Sequence, residues 1–194
     1  LRRQRQMCIR DSFNMLGKYN CINALAAIII SLKMNISFDL IKKSLKTFKG
    51  VKRRLSFELT KPKILIDDYA HHPKEIQSVF NCLDDVYPSL KKLVIFQPHL
   101  FTRTRDFIDE FAQSLEKFDR VVLLDIYPAR EKPIKGITSK ILLDKIKNEN
   151  KSLVNENELL DIINKDNSEI IITMGAGSIG KICQSLKKKL VLEN

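Results

Sequence analysis

From Lys61 onward the sequence alternates between short apolar runs and longer amphipathic stretches, and this alternation constrains the fold more than any other feature. The apolar runs are KILIDD, KLVIFQ, RVVLLDIY and EIIITM. Each is followed by a stretch in which apolar residues recur three and four positions apart, as on the buried face of a helix. Strands this apolar, each followed by a helix, predict a mostly parallel sheet covered by helices on both faces.

A Rossmann-like α/β domain is therefore predicted over residues 61–194, and a different pattern precedes it. Residues 13–60 contain two helical stretches and then an extended segment, GVKRRLSFEL. The apolar run at 24–32 is far shorter than the ~20 residues that span a bilayer, so it predicts a buried helix and no membrane insertion. Residues 1–12, LRRQRQMCIRDS, resemble translated sequencing-adapter read-through, and we predict that they are not native.

The net charge of +11 comes mostly from lysines scattered along the chain. Scattered lysine is typical of a solvated surface, and a basic face attracts phosphate-bearing partners in general. Because no RNA-binding signature or recognition helix accompanies the charge, we expect no nucleic acid partner. The cysteines Cys8, Cys21, Cys82 and Cys183 are isolated, which fits a reducing, cytoplasmic location and indicates neither a zinc site nor a disulfide framework.

The unusual polar residues follow the predicted strands. DDYAHHP comes after the first strand, QPHLFTRTR after the second, DIYPARE after the third and GAGSIG after the last. These segments hold all three histidines and two closely spaced arginines. In open α/β sheets, ligands bind outside the carboxyl ends of the strands. The sequence therefore predicts a ligand site at this edge of the sheet.

Arg103 and Arg105 are predicted to lie at the N-terminus of one long helix, TRTRDFIDEFAQSLEKF. The helix dipole disfavours cations there by roughly 0.3–1 kcal/mol each. Cations beside free helix N–H groups make an anion site, for phosphate or carboxylate. The alternative is an arginine that folds back over a surface acid.

Adjacent side chains diverge in an extended chain, so His71 and His72 are predicted to point apart. A zinc site would need His99 to converge on them, and acid–base or phosphate contact is the favoured interpretation. The last polar segment, GAGSIG, matches G-x-G-x-x-G, but the acid expected about 20 residues later is missing. We interpret GAGSIG as a tight turn between a strand and a helix.

Four segments together resemble the C-terminal domain of the Mur ligase family: ILIDDYAHHPKEI, IFQPHLFTRTRDFIDEF, LLDIYPAREKPIKGITS and MGAGSIGKI. Upstream, GKYNCINALAAI resembles the helix at the end of the family's central ATPase domain. The resemblance runs from Phe13 to the C-terminus. It implies that residues 13–60 are the remnant of a central ATP-binding domain and that 61–194 are the C-terminal Rossmann-like domain. The N-terminal and central domains of the same protein would then be partners of this chain.

The implied reaction belongs to bacterial peptidoglycan biosynthesis. ATP with Mg²⁺ phosphorylates the carboxylate of UDP-N-acetylmuramate, and the amine of L-alanine attacks the acyl phosphate. The resemblance implies nucleotide contacts for Asn20, Asn23, Arg54 and Asp68. It predicts catalytic roles for His71, His99 and Arg103, substrate contacts for Tyr69, His72 and Arg105, and no metal ligand among them.

Three features depart from the family pattern. Tyr19 stands where the family often has histidine, and Leu100 where QPHRYTR has arginine. No G-x-x-x-x-G-K-[ST] phosphate loop occurs, so the chain alone is expected neither to bind ATP tightly nor to turn over. Two alternatives stay open: a peptidoglycan-recycling ligase that adds a whole peptide to UDP-N-acetylmuramate, and a non-catalytic nucleotide- or amino-acid-binding module.

Overall fold

The computed structural model describes residues 15–192, and the chain divides between Lys52 and Arg53 into two compact units. The segment predicted to be non-native, 1–12, lies outside the described residues. The second unit begins before Lys61, because the strand at 56–59 pairs with the sheet. The assignment of 13–60 to an ATP-binding domain stays a prediction.

The first unit contains two helices, α1 (Lys18–Lys33) and α2 (Phe38–Thr47). The prediction that α1 is buried is wrong for the described residues, since Leu25, Ile29 and Ile30 are between 47% and 59% exposed. The helix is apolar on most of its faces, whereas its neighbour α2 can cover only one of them. Only Asn20 is buried in α1.

The second unit is built on a six-stranded sheet in the order β1-β2-β6-β3-β4-β5. The strands are β1 (Ser56–Leu59), β2 (Ile64–Asp68), β3 (Lys92–Phe96), β4 (Arg120–Leu123), β5 (Lys151–Leu153) and β6 (Ile170–Met174). Only the edge pair β1–β2 is antiparallel, and the four remaining pairings are parallel. The predicted mostly parallel sheet is therefore confirmed, with an antiparallel edge strand that the sequence indicated only as an extended segment.

Helices connect the parallel strands, and one more follows the last strand. They are α3 (Pro73–Val86), α4 (Phe101–Asp106), α5 (Ile108–Leu115), α6 (Ser139–Lys145), a 3₁₀ turn at Glu156–Glu158, α7 (Leu159–Lys165) and α8 (Ile179–Leu192). The prediction of a single long helix after β3 is wrong, because the helix is interrupted at Phe107, where φ is −122°. The break lets α5 bury Phe111 and Leu115, whereas the shorter α4 buries only Thr104.

The sheet aligns four strand ends at one edge. Strands β2, β6 and β3 end at the same level, because Asp68 and Phe96 both pair with Met174. Strand β4 ends at that level too, because Leu123 pairs with Phe96. Below this edge the core is fully buried around Leu65, Leu93, Ile95 and Ile171. The loops after β2, β6, β3 and β4 therefore share one rigid support. In residues 15–192, none of the helices is long and apolar enough to cross a membrane.

Candidate active site

A row of four rings crosses the carboxyl edge of the sheet. The centroids are 5.3 Å apart for Tyr69 and His71, 6.3 Å for His71 and His99, and 5.7 Å for His99 and Tyr127. The row draws on the loops after β2, β3 and β4, and His99 also pairs with Tyr127 through the backbone. The structure thus brings Tyr69, His71 and His99 together. Tyr127 lies in the DIYPARE segment, but its ring carried no sequence signal of its own.

The two adjacent histidines point apart, as predicted. His71 places Nδ1 2.9 Å from the Tyr69 carbonyl oxygen and 3.4 Å from Glu75 Oε2. His72 caps α3 by accepting a hydrogen bond from the Lys74 amide, and its ring packs against Phe107 at 4.7 Å. The structure therefore does not bring His72 into the row. Among the described residues, no group of three or more His, Cys, Asp or Glu side chains could hold a metal ion.

Arg103 joins the row and Arg105 does not. Arg103 Nη1 lies 3.4 Å from His99 Nδ1. Arg105 Nε donates to Asp106 at 2.7 Å, and its side chain is half exposed. The helix that carries both arginines has only six residues, so the long helix predicted there is wrong; Arg103 is its third residue and Arg105 its fifth. Arg105 instead folds back over a surface acid.

His99 sits in surroundings that favour its neutral form. Burial, then the nearby charges of Arg103 and His71, lower the pKa of the His99 imidazole below its ordinary value, and Glu131 opposes them. Glu131 accepts hydrogen bonds from the Thr102 amide at 3.0 Å and from the Thr102 hydroxyl. These bonds lower the pKa of the Glu131 carboxyl. Glu131 thereby ties the DIYPARE loop to the start of α4, a contact between loops that sequence reasoning missed.

Asp68 lies at the end of β2, and its buried carboxylate accepts hydrogen bonds from two backbone amides. Oδ2 accepts from the Leu55 amide at 2.7 Å, and Oδ1 accepts from the Ala70 amide at 2.8 Å. Burial raises the pKa of Asp68, and the two backbone hydrogen bonds and the charge of Arg54 offset only part of this effect. Arg54 itself is exposed.

Arg53, which sequence reasoning passed over, makes the contacts that hold this corner together. Its Nε lies 3.0 Å from Asp67 Oδ2, and Nη2 donates to the Gly175 carbonyl oxygen at 2.5 Å. The guanidinium also lies over the Tyr69 ring, 4.9 Å from its centroid. The two arginines are adjacent and alike in sequence, and only the fold separates the half-buried Arg53 from the exposed Arg54.

The interpretation of GAGSIG as a tight turn is confirmed. A Cβ on Gly177 would lie 2.6 Å from Gln97 Oε1 and 2.6 Å from the Tyr127 ring. Gln97 Oε1 accepts from the Ile179 amide at 3.0 Å, and Gln97 Nε2 donates to the Ser178 hydroxyl. The Gln97 side chain thus fills the space at the start of α8.

Asn20 and Asn23 belong to the first unit. They line an apolar cleft of about 410 Å³ between α1 and α2. Asn20 Nδ2 donates to the Leu16 carbonyl oxygen at 2.6 Å, so one side of this amide is occupied within the unit. Asn23 is exposed.

The chain is similar to known ligases. The UDP-N-acetylmuramate–L-alanine ligase of Flavobacterium psychrophilum is 51% identical over 184 residues, which cover 94% of this chain and 41% of that protein. The enzyme of the same name from Vesicomyosocius okutanii is 42% identical, with 90% and 39% covered. The chain therefore spans about two fifths of the length of these relatives.

Solved structures agree with this similarity. The crystal structure of UDP-N-acetylmuramate-alanine ligase from Thermotoga maritima matches with a TM-score of 0.78 and 26% identity, covering 94% of this chain and 40% of that one. A murein peptide ligase from Psychrobacter arcticus matches at 0.63 and 21% identity, over 93% and 40%, and shares the fold. The family model described as "Mur ligase, glutamate ligase domain" matches residues 53–177, which contain all six strands of the sheet. The chain belongs to the Mur ligase family.

Proposed function

We propose that this chain is part of a bacterial, cytoplasmic, ATP-dependent ligase that joins L-alanine to UDP-N-acetylmuramate in peptidoglycan biosynthesis. The observation that carries the proposal is the meeting of Tyr69, His71, His99 and Arg103 at one sheet edge, in a chain whose relatives bear that enzyme's name. Because the chain spans 41% of the first of these relatives, the activity is proposed for the whole protein.

The side chains of the row suit an amino acid that attacks an acyl phosphate. Arg103 supplies a fixed positive charge for the carboxylate of L-alanine or for the acyl phosphate. His71 and His99 supply imidazole nitrogens that can accept or donate hydrogen bonds to the reacting groups. Tyr69, which is 39% exposed, presents a ring and a hydroxyl at the open end of the row. His72 and Arg105 are turned to Phe107 and Asp106, and their substrate contacts stay predictions.

ATP with Mg²⁺ would supply the phosphoryl group that activates the sugar carboxylate. In the second unit, Arg54 fits a nucleotide as an exposed cation whose charge reaches Asp68. Asp68 is 2% exposed and both of its oxygens already accept backbone N–H groups, so its ribose contact stays a prediction. In the first unit, the exposed amide of Asn23 fits an adenine edge, and the contact of the buried Asn20 stays a prediction. The phosphate loop and the Mg²⁺ ligands would come from the missing central domain.

The test uses a full-length protein that contains this chain and measures phosphate release with UDP-N-acetylmuramate, ATP and Mg²⁺. We expect release to require L-alanine and to fall at least tenfold in Arg103→Gln and His99→Gln. The 194-residue chain alone should form no product, since it has no phosphate loop. Turnover by the isolated chain would overturn this division of labour. A full-length protein that prefers a peptide over L-alanine would favour the recycling reaction.

A further inference from the structure

The contacts of His71 fix which of its ring nitrogens carries the proton. Nδ1 lies 2.9 Å from the Tyr69 carbonyl oxygen and 3.4 Å from Glu75 Oε2. A carbonyl oxygen and a carboxylate can only accept hydrogen bonds, so Nδ1 must be the donor. In the neutral imidazole the other nitrogen, Nε2, is then left with a free lone pair.

The contacts of His99 fix the opposite arrangement. Its Nδ1 lies 3.4 Å from Nη1 of Arg103. A guanidinium has only donors, so Nδ1 of His99 must be the acceptor. The proton of the neutral imidazole is then on Nε2. The nearly parallel stacking of this ring on Tyr127, with an interplanar angle of 16°, holds its plane in place.

We infer that two histidines whose rings are 6.3 Å apart hold opposite tautomers. The Tyr69 carbonyl and Glu75 impose one tautomer on His71, and Arg103 imposes the other on His99. His71 presents a bare Nε2 that accepts a proton, and His99 presents an Nε2–H that donates a hydrogen bond. Glu75 is a positioning residue in this arrangement, because it acts through the imidazole that it contacts. Arg103 orients His99 in addition to the charge that it offers the substrate.

The meaning of the pair for catalysis rests on the proposed function. The α-ammonium of L-alanine gives one proton to His71 Nε2, and the amine attacks the carbonyl carbon of the acyl phosphate. The new C–N bond replaces the C–O bond to phosphate, which leaves with the electron pair and takes the second amine proton. His99 Nε2–H donates a hydrogen bond to the oxygen on which negative charge develops. The third ammonium proton stays on the amide nitrogen.

The surrounding charges favour this assignment. Protonation of His99 would put an Nδ1–H against the donor of Arg103, and His71 also faces the ring from the loop after β2. The charge of Glu131, in the loop after β4, opposes these effects and raises the pKa of His99. His71 has the carboxylate of Glu75 on its α3 side and His99 on the other. The arrangement keeps His99 neutral and leaves an acceptor nitrogen on His71.

The test reads the tautomers directly in the 194-residue chain labelled with ¹⁵N-histidine. Long-range ¹H–¹⁵N correlation at about pH 8, above the ordinary histidine pKa of ~6.5, separates protonated from bare ring nitrogens. His71→Gln, His72→Gln and His99→Gln assign the three signals. We expect Nδ1–H with bare Nε2 for His71, and the reverse for His99. An Nε2–H form of His71 or an Nδ1–H form of His99 would overturn the inference.

A matched pair of variants tests the role of Arg103. In Arg103→Gln the midpoint of His99 titration should move to higher pH, because the nearby positive charge is gone. Arg105→Gln, two positions along the same helix and paired with Asp106, should leave the midpoint unchanged. Equal midpoints in the wild type and Arg103→Gln would contradict the assignment. Since no substrate is present, these measurements stand apart from the ligase assay, whose failure alone would refute only the proposed function.

Discussion

Replacing Asp68 with asparagine tests whether its buried carboxylate holds the carboxyl edge of the sheet together. The carboxylate accepts from the Leu55 and Ala70 amides, and the residue is 2% exposed. An asparagine keeps one acceptor oxygen and turns an NH₂ group toward the other amide. A buried donor left without a partner costs about 1–3 kcal/mol. Burial raises the pKa of Asp68, so removing the charge relieves some desolvation. We expect the free energy of unfolding to fall by about 2 kcal/mol.

Urea unfolding of the 194-residue chain, followed by circular dichroism, measures this loss. With a slope of about 1–3 kcal/mol per molar urea, the midpoint for Asp68→Asn should fall by roughly 1 M while the slope stays constant. Asp125→Asn is the matched control, because Asp125 also follows a strand at this edge but is exposed. It should change stability by less than about 0.5 kcal/mol. An unchanged midpoint for Asp68→Asn would refute the assignment of both backbone hydrogen bonds.

Other substitutions test the glycine turn, the histidine and the arginine corner. Gly177→Ala places a Cβ 2.6 Å from Gln97 Oε1, and thermal unfolding should show a loss of about 1–3 kcal/mol. The lowered pKa of His99 contributes stability that is present above the ordinary value of 6.5 and lost as pH falls through the folded value. His99→Gln should therefore flatten the pH dependence of urea stability in that window, and an unchanged slope would contradict it. Arg53→Gln removes the cation beside Asp67, whose side chain is 2% exposed, and should cost about 2–4 kcal/mol in urea unfolding. Wild-type stability in Arg53→Gln would show that Asp67 needs no cation.

The parallel sheet and its polar edge were predictable because both depend on local patterns. An apolar run such as Ile170–Met174 must be buried on both faces, and that requirement appears in the run itself. The pairing of β1 with β2 was not predictable in the same way. Phe57 and Ile66 are partners only because the intervening turn returns the chain to the sheet edge. Likewise, nothing in the sequence of α4 and α5 indicates the break at Phe107. The break depends on the residues elsewhere in the fold against which each of the two helices packs.

The proton positions on the two histidines of the site depend on contacts between residues four positions apart in the sequence. Glu75 and Arg103 are each the third residue of their helix, and each lies four residues after the histidine that it contacts. The spacing H-x-x-x-E therefore places a carboxylate on the first imidazole, and H-x-x-x-R places a guanidinium on the second. Because one partner only accepts and the other only donates, the same local geometry gives opposite proton positions. An acidic side chain in place of Arg103 should therefore reverse the His99 tautomer, whereas His71 should keep Nδ1–H after a change at Glu75, because the Tyr69 carbonyl oxygen still accepts from it.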